Sequence, residues 1–254
     1  MELVPFRLEA AADQRIECRL FQIGPHVLRI RQNPHSSGSL QPLQRPCQDV
    51  EEEAPAGQGC PGNGSSRPAQ DLSKVGMVVW QSAFVLAEWL VRTRPFGPWT
   101  GIRVVDLGSG TGVTGIALAQ AGASVTLTDL PHICPLTREN VEANCEMSSI
   151  HAQVLEHCWG DEVKTLGRAP DVITGADVMY EQEHFPALLA TLQDLSAVHT
   201  VILLAFRMRG RGEFNFLDLC RDGGFHVSFI PKSQLHEEYQ LEEYHVVRLL
   251  RLGS

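Results

Sequence analysis

The stretch Val104-Val105-Asp106-Leu107-Gly108-Ser109-Gly110-Thr111-Gly112 decides the fold class of this 254-residue chain. An aliphatic strand runs directly into a turn that carries glycine at every second position, and the small-residue run Val113 to Ala121 then reads as a helix. Glycine lets the backbone bend sharply and lets a ligand lie against bare main chain. The next strand, Ser124 to Thr128, closes on a second acid, Asp129, 23 residues after Asp106 and 19 after Gly110. An acid in that place can accept hydrogen bonds from a ribose diol.

Outward from the turn, strands and helices alternate. Ala83, Phe84, Ala87, Leu90 and Val91 repeat at helical spacing, and Arg94-Pro95 through Gly97-Pro98 ends that helix. A helix is expected from about Ile133 to Glu146 and another from His184 to Leu195. Ala152 to Leu155, Asp171 to Ala176 and Thr200 to Phe206 read as strands. Such alternation implies an α/β, Rossmann-like fold, a mostly parallel sheet with helices on both faces. Phe225 to Ile230 and Tyr244 to Leu250 are strand-like too, but only an acidic polar segment separates them, so an antiparallel pair is expected at the C-terminal end.

The N-terminal part differs. Arg15 to Phe21 and His26 to Arg31 alternate around Gly24-Pro25, as a β-hairpin would. Asn33 to Lys74 then collects six prolines, five glycines and six serines in 42 residues, with the acidic knot Glu51-Glu52-Glu53. Its isolated apolar residues cannot repay the entropy of ordering, so a disordered insertion is expected. The organisation expected is a hairpin extension over 1–32, an insertion over 33–74 and one catalytic-sized domain over 75–254.

Composition narrows the function. A net charge of −9 argues against a nucleic-acid partner and suits a cationic ligand or a basic protein surface. No run approaches the ~18 apolar residues of a membrane span, and the N-terminus carries no secretory pattern. The seven cysteines are odd in number, scattered and without a Cys-x-x-Cys. They suggest reduced thiols in a cytoplasmic protein, or a nuclear one. His157, His226, His236 and His245 lack companion spacing for a metal, and none is assigned.

Two cofactors compete for the glycine turn. Gly110-x-Gly112-x-x-Gly115 matches the dinucleotide fingerprint formally, which would make the protein an NAD-dependent oxidoreductase. That register leaves Asp106 beside a diphosphate, a repulsion of ~1–4 kcal/mol at effective dielectrics of 80 to 20. S-adenosylmethionine carries a sulfonium and an ammonium and no phosphate, so the sign of the charge favours it. A turn with no ligand is the plain alternative.

The residues also resemble a known family. Asp106 to Gly112 is similar to the first motif of the seven-strand (class I) methyltransferases. Val79-Trp80-Gln81-Ser82-Ala83, Thr128-Asp129-Leu130, Cys158-Trp159-Gly160 and Ala176-Asp177-Val178-Met179-Tyr180 resemble the protein-lysine methyltransferases with an Asp-x-x-Tyr signature. Ile230-Pro231 with His236-Glu237-Glu238-Tyr239 looks most like the branch that modifies the AAA ATPase valosin-containing protein. The resemblance implies a seven-stranded mixed sheet with an antiparallel last strand, and S-adenosyl-L-methionine as cofactor. It places Trp80, Asp106, Gly108, Ser109, Gly110, Asp129, Trp159 and Ala176 at the cofactor. Asp177 and Tyr180 become the catalytic pair, with Asp177 accepting a hydrogen bond from the substrate amine and Tyr180 offering its ring or hydroxyl.

Without the resemblance, Asp177 reads first as a helix N-cap and Tyr180 as a packing residue. The substrate implied is a lysine side chain on a folded protein of the AAA ATPase, chaperone or elongation-factor class. A methyltransferase-like scaffold without activity is the non-enzymatic alternative. The acids Glu237, Glu238, Glu242 and Glu243 read as a solvated turn before they read as a substrate contact.

Overall fold

The computed structural model describes residues 17–33, 72–145 and 151–253. Most of the proline-rich segment, and Glu146 at the expected end of one helix, lie outside the described residues.

Cys18–Ile23 (β1) and His26–Arg31 (β2) pair antiparallel across Gly24, the hairpin that the alternation implies. A 3-10 turn, Leu72–Met77, begins inside the segment assigned to the insertion and leads into helix α1, Gln81–Thr93. Arg94, in a left-handed conformation, ends α1 by returning its N–H to the Leu90 carbonyl.

The main sheet follows. Its strands are β3 (Arg103–Leu107), β4 (Ser124–Asp129), β5 (His151–Glu156), β6 (Val172–Ala176), β7 (Val201–Arg207), β8 (Phe225–Phe229) and β9 (Tyr244–Arg251), in the order β5-β4-β3-β6-β7-β9-β8. The first five of that order run parallel, and β9 is antiparallel to both β7 and β8. The last strand thus inserts between two earlier ones, as a short connection from β8 to β9 allows.

Helices α2 (Val113–Gln120), α3 (Cys134–Asn144), α4 (Phe185–Leu195) and α5 (Glu213–Asp222) complete the layers. One apolar cluster joins α1, α2, the hairpin and the sheet; the other joins α4 and α5 to the opposite face. β3 is central, with Val104, Val105 and Leu107 all buried. From β3 the chain winds one way to β4 and β5, and later the other way to β6 and β7. That reversal opens a crevice at the carboxyl ends of the strands, where open α/β sheets bind ligands.

The hairpin is tied to the domain by side chains mimicking a strand. Asn140 and Asn144, one helical turn apart on α3, each exchange two hydrogen bonds with β2. Asn140 Oδ1 and Nδ2 meet the N–H and carbonyl of Arg31 at 2.7 and 2.9 Å, and Asn144 meets those of Arg29 at 2.7 and 2.7 Å. Asn140 Nδ2 also donates to the Thr111 carbonyl at 2.9 Å, which links the hairpin to the glycine turn.

Candidate active site

A cavity of about 220 Å³ occupies the crevice at the carboxyl edge of the sheet. Its floor is the glycine turn. Gly108, Gly110 and Gly112 all have positive φ, 61°, 54° and 87°, which side chains rarely tolerate. A Cβ on Gly108 would stand 2.9 Å from Val178 Cγ1 and 3.1 Å from Trp159 Cζ2, so this glycine also lets Trp159 close over the turn. Ser109 donates its N–H to the Thr128 carbonyl at 2.9 Å, whereas its hydroxyl is buried with no hydrogen-bond partner.

The two acids do different work. Asp106 is 2% exposed, beneath the turn, accepting from the Thr174 hydroxyl at 2.7 Å and the Gly115 N–H at 3.1 Å. Burial pushes its carboxyl up to about 7, against the pull of those two hydrogen bonds, and the nearby Asp129 adds to the rise. Asp106 is therefore a buried acid under the site rather than a bare carboxylate at its mouth. Gly115 has a packing reason too: a Cβ there would lie 2.6 Å from Leu127. Asp129, at the end of β4, accepts from the Gly110 N–H at 2.7 Å and the Leu130 N–H at 2.8 Å. Burial raises its carboxyl as well, opposed by those N–H groups.

The walls come from separate segments. Trp80 stands just before α1 and donates its indole N–H to the Val75 carbonyl at 2.8 Å. Trp159 follows β5, Ala176 ends β6, and Tyr180 lies half-buried four residues later. All ten residues expected at the cofactor or in the catalytic pair line this one cavity. Burial holds the Tyr180 phenol above its usual range, and the charges of Asp129 and Glu181 add to that. Tyr180 thus keeps its proton and can act as a hydrogen-bonding group.

Asp177 differs from expectation. Its carboxylate, 5% exposed, is held by both terminal nitrogens of Arg209, at 2.8 and 3.2 Å, and by the Arg207 N–H at 3.2 Å. It is not the cap of α4, whose N-cap is His184. The open acceptor read from the sequence is an ion pair in the structure, because a guanidinium 32 residues away supplies the fork.

Sequence reasoning missed His157, which was weighed only as a metal ligand. It directly follows β5, is 6% exposed and lines the cavity, with Nε2 lacking a hydrogen-bond partner. Its position just past a strand's carboxyl end was the available signal. Among the described residues no cluster of His, Cys, Asp or Glu could hold a metal ion, and no helix is long and apolar enough to cross a membrane.

These features fit a sulfonium cofactor. The glycine cradle admits a ligand against bare main chain, Ser109 Oγ and His157 Nε2 are buried polar atoms without partners, and two carboxyls lie under the turn and at its edge. A cation over the turn favours the ionised form of both carboxyls, and a diphosphate disfavours it.

Comparisons with known proteins agree. Among solved structures, the fold resembles a TehB-like SAM-dependent methyltransferase from Corynebacterium glutamicum, with TM-score 0.51 and 20% identity over 72% of this chain and 93% of that one. Magnesium protoporphyrin IX methyltransferase from Synechocystis with bound SAM gives TM-score 0.50 and 21% identity, over 75% and 86% of the two chains. At these identities the likeness concerns the fold alone.

Sequence relatives are more specific. Protein N-lysine methyltransferase METTL21A of Danio rerio is 39% identical over 159 residues, 61% of this chain and 72% of the relative. The Mus musculus protein of that name is 39% identical over 178 residues, 66% and 78% of the two chains. EEF1A lysine methyltransferase 3 of Xenopus tropicalis is 36% identical over 135 residues, 53% and 59%. The profile described as lysine methyltransferase matches residues 68–222, more than half the chain and every wall of the cavity. This chain belongs to the lysine methyltransferase family.

Proposed function

We propose that this protein transfers a methyl group from S-adenosylmethionine to the ε-nitrogen of a lysine on another folded protein. The observation that carries the reading is one cavity joining the acid-edged glycine turn to Tyr180 and Trp159. When bound, the cofactor supplies an electrophilic methyl on a sulfonium. Gly108, Ser109 and Gly110 would give it main-chain contact, Asp129 would accept from a ribose diol, and Trp159 and Trp80 would bound it with aromatic faces.

The lysine side of the reaction needs a neutral amine held about 3–3.5 Å from the methyl and aligned with it. An ammonium with an ordinary pKa near 10.4 loses its proton more readily in a half-buried, water-poor mouth. Tyr180 keeps its own proton, so its hydroxyl orients the nitrogen as a hydrogen-bond partner and its ring covers the lysine stem. The proton leaves to water.

The target is an elongation factor, chaperone or AAA ATPase. The relative named for EEF1A and the tail residues His236 to Tyr239 support that range. We place the protein in the cytoplasm, with the nucleus as a second compartment; the unpaired Cys134 and Cys220, both buried, are in keeping with a reducing medium.

The test is to incubate the purified chain with methyl-labelled S-adenosylmethionine and extract from cells lacking it, then hydrolyse the labelled fraction. Methyllysine is expected. Label on lipid, nucleic acid or a small molecule, with none on lysine, rejects the reading.

A further inference from the structure

The segment that carries Tyr180 is fastened at both ends to the last residues of β7 and the loop that follows it. At its start, Asp177 is held by Arg209 through a two-point fork and by the Arg207 N–H, and its own N–H donates to the Ala205 carbonyl at 2.8 Å. At its far end, Glu181 pairs with Arg211 at 3.4 Å and Gln182 Nε2 donates to the Arg211 carbonyl at 3.1 Å. Tyr180 lies between the two fastenings.

The loop is itself braced. Glu213, 2% exposed at the start of α5, accepts from the Arg209 and Arg211 N–H groups at 2.8 and 2.9 Å. On its other side the Arg209 guanidinium sits 5.1 Å from the ring centre of Trp80, itself tied to Val75. One arginine therefore touches the Asp-x-x-Tyr segment and a wall of the cavity together.

Asp177 also has φ +55°, a left-handed conformation uncommon outside glycine, asparagine and aspartate. The contacts just described hold it there. Both oxygens of this carboxylate already accept, from the guanidinium fork and a main-chain N–H, which leaves little of it free to face a substrate amine.

We propose that Arg209 is a positioning residue of this site and that Asp177 is its counter-charge, the two holding Tyr180 in register. Asp177 then acts through Arg209 and does not touch the lysine amine. The inference rests on the methyl-transfer reading, since it assigns roles within that site.

The experiment uses the full chain as wild type, Asp177→Asn, Arg209→Gln and the double variant. Two readouts are taken. One is the rate of label transfer from S-adenosylmethionine into extract of cells lacking the protein, across pH; the other is amide hydrogen exchange over residues 177–182.

Each single variant is expected to lose about 10-fold or more in rate, as misplaced reacting groups do. The shape of the acid limb is expected to stay as in the wild type. The double variant is expected to be no slower than the slower single, because one pair is lost once. Exchange over 177–182 is expected to rise in Arg209→Gln. Arg209→Lys, which keeps the charge without the fork, is expected to fall between wild type and Arg209→Gln in both readouts.

A wild-type rate in Arg209→Gln would overturn the proposal, as would losses that multiply in the double variant. Disappearance of the acid limb in Asp177→Asn would return Asp177 to the amine. If the wild type transfers no label, the methyl-transfer reading fails on its own. Exchange still decides the pair: unchanged exchange in Arg209→Gln and Arg209→Lys overturns the positioning role.

Discussion

Cofactor binding should release a proton from Asp106. Its carboxyl is 2% exposed and titrates near 7 instead of 3.8, chiefly because burial disfavours the charge. That difference corresponds to about 4 kcal/mol of preference for the neutral form. Since the folded state holds this proton more tightly than the unfolded chain, the contribution to stability is full below pH 3.8 and is lost as pH rises through about 7.

A bound cation acts in the opposite sense. Unit charges 4 Å apart attract by about 1 kcal/mol in water and about 4 kcal/mol at an effective dielectric of 20. Each 1.4 kcal/mol or so moves a titration by one pH unit, so a cation over the turn brings Asp106 down by about one to three units. Affinity for S-adenosylmethionine should then climb about 10-fold between pH 6 and 8, with about half a proton released per site at pH 7. Calorimetry in two buffers of different ionisation enthalpy reads both quantities. Asp106→Asn is the control, because Asp129 and the ligand's own amine titrate in both proteins. Equal pH slopes and equal proton release in wild type and Asp106→Asn would refute the coupling.

Other perturbations follow from the same geometry. Gly108→Ala puts a Cβ 2.9 Å from Val178 at φ +61°, and should cost about 1–2 kcal/mol in urea unfolding from the backbone alone. Displacement of Trp159 should weaken cofactor binding further. Asn140→Ala removes contacts to Arg31 and Thr111, and should cost about 2–4 kcal/mol while raising hydrogen exchange in β2. Unprotected exchange confined to other strands would contradict that role. Tyr180→Phe keeps the ring and should lower the transfer rate about 10- to 100-fold with little change in cofactor affinity. Full activity in Tyr180→Phe would leave only the ring with a role.

Much of this was legible in the sequence because it is local. The strand, glycine turn and helix around Asp106 to Gly112 announce themselves within one short window, and the positive φ angles explain why glycine stands there. Asp129, Trp159 and Ala176 were readable for a related reason. Each ends or follows a strand of a parallel sheet, and such ends meet at one edge. The antiparallel C-terminal pair followed from a connection with no crossover α-helix in it.

The rest depends on partners far apart in the chain. Asp177 looks like an open acid until Arg209 arrives from 32 residues away. Asn140 and Asn144 look like ordinary polar residues of an exposed helix face until β2, more than 100 residues earlier, lies beside them. Neither pairing has a periodicity to betray it, since side-chain forks and amide ladders depend on tertiary contact alone. The insertion of β9 between β7 and β8 is of the same kind: pattern gives strands, and hydrogen-bond partners give their order.

The acid-edged turn takes a positively charged methyl donor. Calorimetry on the purified chain with S-adenosylmethionine and with NAD, side by side, tests it most directly. Saturable binding of S-adenosylmethionine is expected, weakened about 10-fold or more in Asp129→Ala, with no binding of NAD. Saturable NAD binding with none for S-adenosylmethionine would contradict it.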